Sequence, residues 1–319
     1  MKKDSRQKYI LTTLDLSKLT GRAPGEIKNS LRQEELVSLP GNRVGVPSSL
    51  VRDFLSENNI DYSSRVIVFA NMKGGVGKTT SAVSIATRAV QYGFKTCIID
   101  MDSQGSASFS FNMMPDDDDP IFCDIWQNPE DMAMAALKEI DENLYLIPSS
   151  LDNGLLDLNL INPASQKNAV TNVCQTLKNN DFDLIIVDCP PSLGTAVISS
   201  VCAADIIIIP VCSDAFSIKG LQLVLSEMQS ICSTFNLDMP KIEILFTKFD
   251  KRTGLSEEAF SKLSSQYEEF LFSKPIRTST EFSKALGKNE TIFASPRKSN
   301  GKEDYDHFVK HLLKLNSFN

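Results

Sequence analysis

Five short runs of apolar, mostly β-branched residues recur along the chain without alternating polar positions. Such runs are typical of parallel strands that are buried on both faces of a sheet. The segments between them are long enough for crossover helices, so the pattern predicts an α/β fold with a doubly wound, mostly parallel sheet. The predicted strands are 65–70, 96–100, 184–188, 206–211 and 242–246.

The segments between these runs favour helices, most of them through mixed apolar and polar periodicity. Between Asp116 and about Ser150 the pattern weakens. There an acidic run followed by Pro120 predicts a solvated loop. The predicted helices are 78–92, 166–179, 217–234, 255–271 and 302–315.

The first 62 residues carry a different pattern. Residues 14–21 and 23–32 predict two short helices around a glycine turn, and 36–46 predicts a β wing with its turn at Pro40. This order resembles a winged helix-turn-helix, so we predict a small DNA-binding domain at 1–62 and a larger domain at 63–319. A helical dimerisation arm without DNA contact is the alternative. The side chains predicted to contact DNA are Arg22, Lys28, Asn29 and Arg32.

Charge and composition support a two-part chain. Residues 1–60 hold 10 Lys and Arg against 7 Asp and Glu, a balance of +3, whereas the whole chain has a formal charge of −7. The remainder therefore carries −10, so any DNA contact there must come from a local patch. No apolar run is long enough to span a membrane, and the chain starts with polar residues, which predicts a cytoplasmic protein.

A glycine-rich loop directly follows the first predicted strand and precedes a predicted helix. Glycines let main-chain N–H groups converge on an anion, and the helix N-terminus adds partial positive charge. Lys78 would reach the β- and γ-phosphates of ATP, Thr79 would ligate Mg²⁺ and Thr80 would approach the α-phosphate. The predicted nucleotide-binding loop consists of Lys73, Gly74, Gly75, Val76, Gly77, Lys78, Thr79 and Thr80.

One departure from the general phosphate-loop pattern changes the prediction. Met72 occupies the first glycine position, and a second lysine, Lys73, opens the loop. The sequence from Lys73 to Thr80 resembles the deviant Walker A loop of the ParA/MinD family of P-loop ATPases. In that family the early lysine crosses a dimer interface to the partner's phosphates, so the resemblance implies an ATP-dependent homodimer and a catalytic role for Lys73 beside Lys78.

Two carboxylate motifs extend the resemblance. The segment Asp100-Met101-Asp102-Ser103-Gln104-Gly105 resembles the family's second nucleotide motif, which implies that Asp102 positions or activates the attacking water. Asp100 is expected to end the strand and support the loop. Asp188 ends another apolar strand and resembles the Walker B aspartate, which implies that it holds Mg²⁺ through water.

The second half of the resemblance is weaker. Residues 246–252 resemble the segment near which the family holds adenine, which implies contacts from Lys248 and Asp250. Arg277 stands where a related segment usually has proline, and this puts base contacts there in doubt. Sequence-independent DNA binding by the ATP dimer is also implied, with surface candidates Lys251, Arg252 and Lys284.

Taken together, the resemblance implies a ParA-type partition ATPase associated with the nucleoid. Its implied partners are DNA, bound non-specifically and at an operator, and a ParB-type centromere-binding protein that stimulates hydrolysis, with filaments on DNA as a further alternative. A MinD-like membrane ATPase is the first rival, since residues 305–315 form an amphipathic, locally basic tail. We instead expect Phe308, Leu312 and Leu315 to dock on the core. A metabolic reductase or amidoligase is the second rival.

Overall fold

The computed structural model describes residues 8–213 and 215–315. Within them the strands form an antiparallel sheet of three strands, in the order β1-β3-β2, and a separate sheet of seven. The smaller sheet belongs to the N-terminal elements, in which two short helices and a hairpin occur at the predicted positions, whereas the first strand and the third helix were not predicted. These elements are β1 (Leu11–Thr12), α1 (Thr13–Thr20), α2 (Pro24–Ser30), β2 (Val37–Leu39), β3 (Arg43–Val46) and α3 (Ser48–Ser56).

Local sequence determines how the N-terminal elements begin and end. Thr12 caps α1, because its hydroxyl accepts from the Asp15 N–H while the Asp15 carboxylate accepts from the Thr12 N–H. The helix ends at Gly21, whose φ of +72° favours glycine. Gly41 and Asn42 also have positive φ and close the hairpin between β2 and β3.

The larger sheet confirms the predicted doubly wound topology. Its order is β10-β9-β4-β8-β5-β7-β6, and every pair within it is parallel except the β6 edge. The five predicted strands are all present, and four of them are almost wholly buried. The strands are β4 (Arg65–Phe69), β5 (Thr96–Asp100), β6 (Lys138–Asp141), β7 (Leu144–Ile147), β8 (Leu184–Asp188), β9 (Ile206–Val211) and β10 (Lys241–Phe246).

Each predicted helix has a counterpart, with boundaries that differ by a few residues. The longer helices cover both faces of the sheet, as a parallel sheet requires. In chain order the helices are α4 (Lys78–Gln91), α5 (Ser106–Ser110), α6 (Phe122–Ile125), α7 (Pro129–Met132), α8 (Leu156–Asn159), α9 (Pro163–Asn179), α10 (Thr195–Ala203), α11 (Ala215–Phe235), α12 (Gly254–Gln266), α13 (Thr280–Leu286) and α14 (Asn300–Leu312).

The acidic run 116–119 lies in a largely exposed turn, as predicted, but the segment from Pro120 to Ser150, where the pattern weakens, contains elements that the sequence did not predict. The segment contains α6 and α7 and then the hairpin β6–β7, which extends the large sheet. Because β7 pairs in parallel with β5, Leu144 and Leu146 are fully buried. β6 is an edge strand with polar residues, so its own pattern carries little signal.

The N-terminal elements share one hydrophobic core with the α4 face of the large sheet. Arg52 on α3 makes a two-pronged ion pair with Asp183 and donates to the Gly93 carbonyl oxygen at 3.1 Å. Ser48 donates to the carbonyl oxygen of Val90 on α4 at 2.8 Å. A side chain at Gly93 would meet the Arg52 backbone at 2.7 Å, so this position requires glycine.

The C-terminal helix is docked, as predicted from its apolar stripe. Phe308, Leu312 and Leu315 are buried in the core that also contains α4. Two polar contacts on the same helix fix its register: Tyr305 shares a hydrogen bond with Ser81, and Asp306 accepts one from Arg88. Among the described residues, no helix has the length and apolarity needed to cross a bilayer.

Candidate active site

The glycine-rich loop joins β4 to α4 at the carboxyl edge of the large sheet. β4 lies between β8 and β9 in the sheet, where the strand order reverses, and such a switch point opens a crevice for a ligand. Gly75 and Gly77 have φ values of +74° and +93°, which L side chains rarely adopt. The loop therefore takes a shape that depends on these glycines and leads directly into the helix N-terminus.

Lys78 is almost completely buried beneath this loop. Its ammonium donates to the carbonyl oxygens of Asn71 at 3.1 Å and Lys73 at 3.3 Å. Burial lowers the pKa of Lys78, and the negative charge of Asp188 acts against that shift. The ammonium is thus held inside the loop, at the position where a phosphate oxygen could take over from the carbonyls as its partner.

Two neighbouring residues that sequence reasoning missed hold the loop in place. The Asn71 amide donates to the Pro210 carbonyl oxygen at 2.7 Å, and its oxygen accepts from the Lys73 N–H at 3.0 Å. Thr247 donates to the Val76 carbonyl oxygen at 2.7 Å. Thr247 directly follows strand β10, and that placement at the carboxyl edge is the signal that could have identified it.

Asp188 ends β8 and carries the most unusual carboxylate of the site. It is fully buried, and neither of its oxygens has a hydrogen-bond partner within the described residues. Burial raises its pKa to about 8 and the charge of Asp100 adds to this, while Thr79 and Lys78 oppose the shift. A buried carboxylate without a donor is costly unless a cation or its water shell satisfies it, so Asp188 and Thr79 fit a Mg²⁺ site.

Asp100 and Asp102 have separate roles. Asp100 lies opposite Asp188 in the β5–β8 register and accepts two hydrogen bonds from Ser108, each 2.8 Å long. Burial raises the pKa of Asp100 to about 6, and the Ser108 bonds oppose the shift. Asp102 is partly exposed beyond the strand end, where its carboxylate accepts from the Gln104 N–H at 3.0 Å. Asp100 is thus hydrogen-bonded within the loop, whereas the Asp102 carboxylate remains partly exposed to solvent.

The predicted base-binding residues lie farther along the same edge. Lys248 is exposed, and Asp250 lines a pocket of about 620 Å³ between 249–252 and 277–283. Arg252 binds the Asp250 carboxylate and lowers its pKa to about 2. Arg277 lines this pocket too, but its guanidinium and N–H both donate to Asp304 on α14. The unexpected arginine therefore anchors the C-terminal helix.

The predicted DNA-binding residues fall into two groups. Lys28 and Asn29 are exposed on α2, where only Ile27 is buried, and Lys251 is exposed after β10. The other candidates have protein partners. Arg22 donates to Asn58, Arg32 pairs with Glu35 and Asp53, Arg252 pairs with Asp250, and Lys284 pairs with Glu281.

Comparison with known proteins extends these observations. A family model described as an AAA domain matches residues 64–244, more than half of the chain. The cell division protein PomZ of Myxococcus xanthus is 29% identical over 246 residues, covering 77% of this chain and 77% of PomZ. The sporulation initiation inhibitor protein Soj of Bacillus subtilis is 27% identical over 248 residues, covering 78% of this chain and 98% of Soj.

A solved structure shares the fold of the same region. Cobyrinic acid a,c-diamide synthase from Mycobacterium smegmatis, with bound ATP analogue and magnesium, superposes with a TM-score of 0.69 at 28% identity. The match covers 79% of this chain and 94% of the synthase. The similarity to these proteins thus spans about four fifths of the chain.

Proposed function

Because the chain belongs to the AAA domain family, and within it to the ParA-type ATPases, we propose that it is a DNA partition ATPase whose ATP-bound dimer binds DNA. The observation that carries this proposal is the buried, unpartnered carboxylate of Asp188 beneath a glycine loop that opens with Lys73. Asp188 supports a cation site, and Lys73 is the residue that distinguishes a dimerising ATPase from a general one.

The chain is an ATP hydrolase with ATP and Mg²⁺ as substrate and cofactor. Lys78 would exchange its carbonyl partners for the β- and γ-phosphates, and Thr79 with Asp188 would hold the metal, the latter through water. Mg²⁺ would neutralise charge on the phosphates in this position. Asp102, partly exposed at the rim of the crevice, would orient the attacking water.

Lys73 gives the site its dependence on a second subunit. In the proposed dimer, two copies face each other across two ATP molecules, and each Lys73 reaches the partner's phosphates. There it would neutralise the charge that develops during phosphoryl transfer, as an arginine finger does. Hydrolysis would therefore require the dimer, and ADP would release it.

DNA is the proposed target of this switch. The exposed face of α2 supports operator binding by the N-terminal elements and repression of the protein's own operon, because Lys28 and Asn29 are available for a major groove. Lys251 and its neighbours would contribute to sequence-independent binding by the ATP dimer. A ParB-type protein would stimulate hydrolysis and so free the DNA. While it is bound to DNA, the ATP dimer would be associated with the nucleoid in the cytoplasm.

The similarity to a diamide synthase favours a second candidate, an ATP-dependent amidoligase. The two functions differ in what accelerates ATP turnover. A partition ATPase should respond to DNA together with its partner, whereas an amidoligase should respond to an amide donor and a carboxylate acceptor.

The deciding experiment measures binding of the full chain to random duplex DNA and to DNA from upstream of its own gene, with ADP and with ATP. We expect binding to random DNA with ATP only, and binding to the upstream DNA that is sensitive to Lys28→Ala. Point variants are preferable to deleting residues 1–62, since that deletion would expose the core shared with α4. Equal DNA binding with ADP, with ATP and without nucleotide would contradict the proposal.

A further inference from the structure

The short helical segment after β7 exposes an unusual amount of apolar surface. Leu151, Leu155, Leu158 and Ile161 are 75%, 47%, 68% and 78% exposed. Leu151 and Leu155 lie at the two ends of a 3-10 turn and Leu158 lies on α8, so the three side chains project from one short helical segment. We call these four side chains the apolar rim.

The opposite face of the segment is firmly anchored. Leu156 and Leu160 are buried, and the buried Asn153 amide donates to the Asp100 carbonyl oxygen at 3.2 Å and to the Ser149 hydroxyl at 2.8 Å. The segment thus buries some of its apolar side chains and still exposes others to solvent. Contiguous exposed apolar surface of this kind marks interaction sites in folded proteins.

Both ends of the segment connect to the candidate active site. On one side the Ser149 hydroxyl donates to the Asp102 carbonyl oxygen at 2.7 Å, and a Cβ on Gly154 would lie 3.9 Å from Ser103. On the other side Asp157 accepts from both the N–H and the hydroxyl of Thr195, at the start of the helix that follows the Asp188 loop. The apolar rim therefore lies between the two loops that carry the candidate catalytic and metal-binding aspartates.

We propose that the apolar rim packs against a second copy of this chain in the ATP-bound dimer. The inference rests on the proposed function, in which two copies face each other across their two ATP sites and Asp102 lies at one of these sites in each copy. A surface continuous with the Asp102 loop must then approach the partner as well. The occupant is a second copy and not a peptide, because the rim adjoins the edge that two facing ATP sites would bring together.

This placement also couples ATP binding to dimerisation. The rim segment is hydrogen-bonded to the main chain of both Asp100 and Asp102. A shift of this loop on ATP binding would be transmitted directly to the rim. Covering the rim thus supplies apolar contact area in the same conformational state in which Lys73 reaches the opposite site.

Sedimentation velocity of the full chain with Mg²⁺ and a non-hydrolysable ATP analogue tests this inference. We expect Leu151→Ser combined with Leu155→Ser, and Leu158→Ser alone, each to weaken dimerisation at least about tenfold, because each substitution removes apolar surface that the proposed interface would bury. Leu255→Ser is the matched control. Leu255 is 59% exposed and follows the opposite edge strand, β10, so its substitution should leave dimerisation unchanged.

Affinity for a fluorescent ATP analogue, measured on the same variants below the dimerisation range, should stay within about twofold of that of the unsubstituted chain, since these side chains do not touch the phosphate loop. Normal dimerisation of both rim variants would contradict the inference and leave the proposed function intact. Loss of ATP binding together with dimerisation would also contradict it, because the rim would then support the site itself. Failure of the unsubstituted chain to dimerise would instead overturn the proposed function.

Discussion

The Lys78 ammonium donates a hydrogen bond to the main-chain carbonyl oxygen of Lys73 across 3.3 Å. The two lysines of the glycine loop are therefore in contact, although they serve different phosphates in the proposed mechanism. Lys78 is buried, while Lys73 is partly exposed and the two glycines that follow it are exposed. Substituting each lysine should separate ATP binding from hydrolysis.

Lys78→Ala is expected to weaken ATP binding by about 100-fold, because it removes a charge-assisted bond to the β- and γ-phosphates. Titration with a fluorescent ATP analogue measures this loss. Lys262→Ala is the control, since Lys262 is an exposed lysine on α12 that is not predicted to contact the nucleotide, and the affinity of this variant should be unchanged. If Lys78→Ala bound the ATP analogue with unchanged affinity, the phosphates would have to bind outside this loop.

Asp188→Asn should abolish the stabilisation that Mg²⁺ and ATP give together, without lowering the melting temperature of the nucleotide-free protein. The substitution removes a buried carboxylate whose charged form is disfavoured by burial and by the charge of Asp100, so the nucleotide-free folded state should lose little stability. Thermal unfolding with and without MgATP measures both effects, because a ligand that binds the folded state raises the melting temperature. An MgATP-induced rise equal to that of the unsubstituted protein would exclude Asp188 from the metal site.

Asp306→Asn should lower the free energy of unfolding at neutral pH. This loss should become smaller as the pH falls. Burial would raise the pKa of Asp306, but Arg88 and Lys310 outweigh it and lower the pKa to about 2. Because the folded-state pKa is lowered, the Asp306 charge stabilises the folded state, and this contribution is fully present above about pH 4. It is lost as the pH falls through about 2. The contribution to the free energy of unfolding is on the order of 2 kcal/mol.

Denaturant unfolding of both proteins between pH 7 and about pH 3 follows the first part of this loss, about half of it, and comparing the two proteins isolates Asp306 from other acidic groups. The gap in unfolding free energy should narrow towards acid. A gap that stays constant over the whole range would show that the Arg88 pair contributes nothing through its charge.

Lys28→Ala with Asn29→Ala should weaken operator binding by about tenfold to 100-fold, as expected from the loss of base or phosphate contacts. Both side chains are exposed on α2, so stability should not change. Lys18→Ala on α1 is the matched control, because Lys18 is an exposed lysine outside the second helix. Electrophoretic mobility shifts on the upstream DNA measure the effect. Equal losses in the control and the test variant would argue against recognition by α2.

The phosphate loop, its strand and its helix could be predicted because they are contiguous in sequence, and glycines with positive φ mark the loop directly. Contacts between distant segments could not be predicted in the same way. Arg52 pairs with Asp183 across 131 positions, and nothing near either residue specifies the other. The replacement of proline by Arg277 was visible, but its partner Asp304 became apparent only once α14 was placed.

The central claim is that Lys73 acts on the ATP held by the other subunit. Its most direct test is ATP turnover by a one-to-one mixture of Lys73→Ala and Asp102→Ala, each of which should be inactive alone. In a mixed dimer, the site on the Lys73→Ala subunit keeps its own Asp102 and receives Lys73 from its partner. Half of the dimers would then have one working site of two, so the mixture should recover about a quarter of the unsubstituted turnover. A mixture as inactive as its components would contradict the claim.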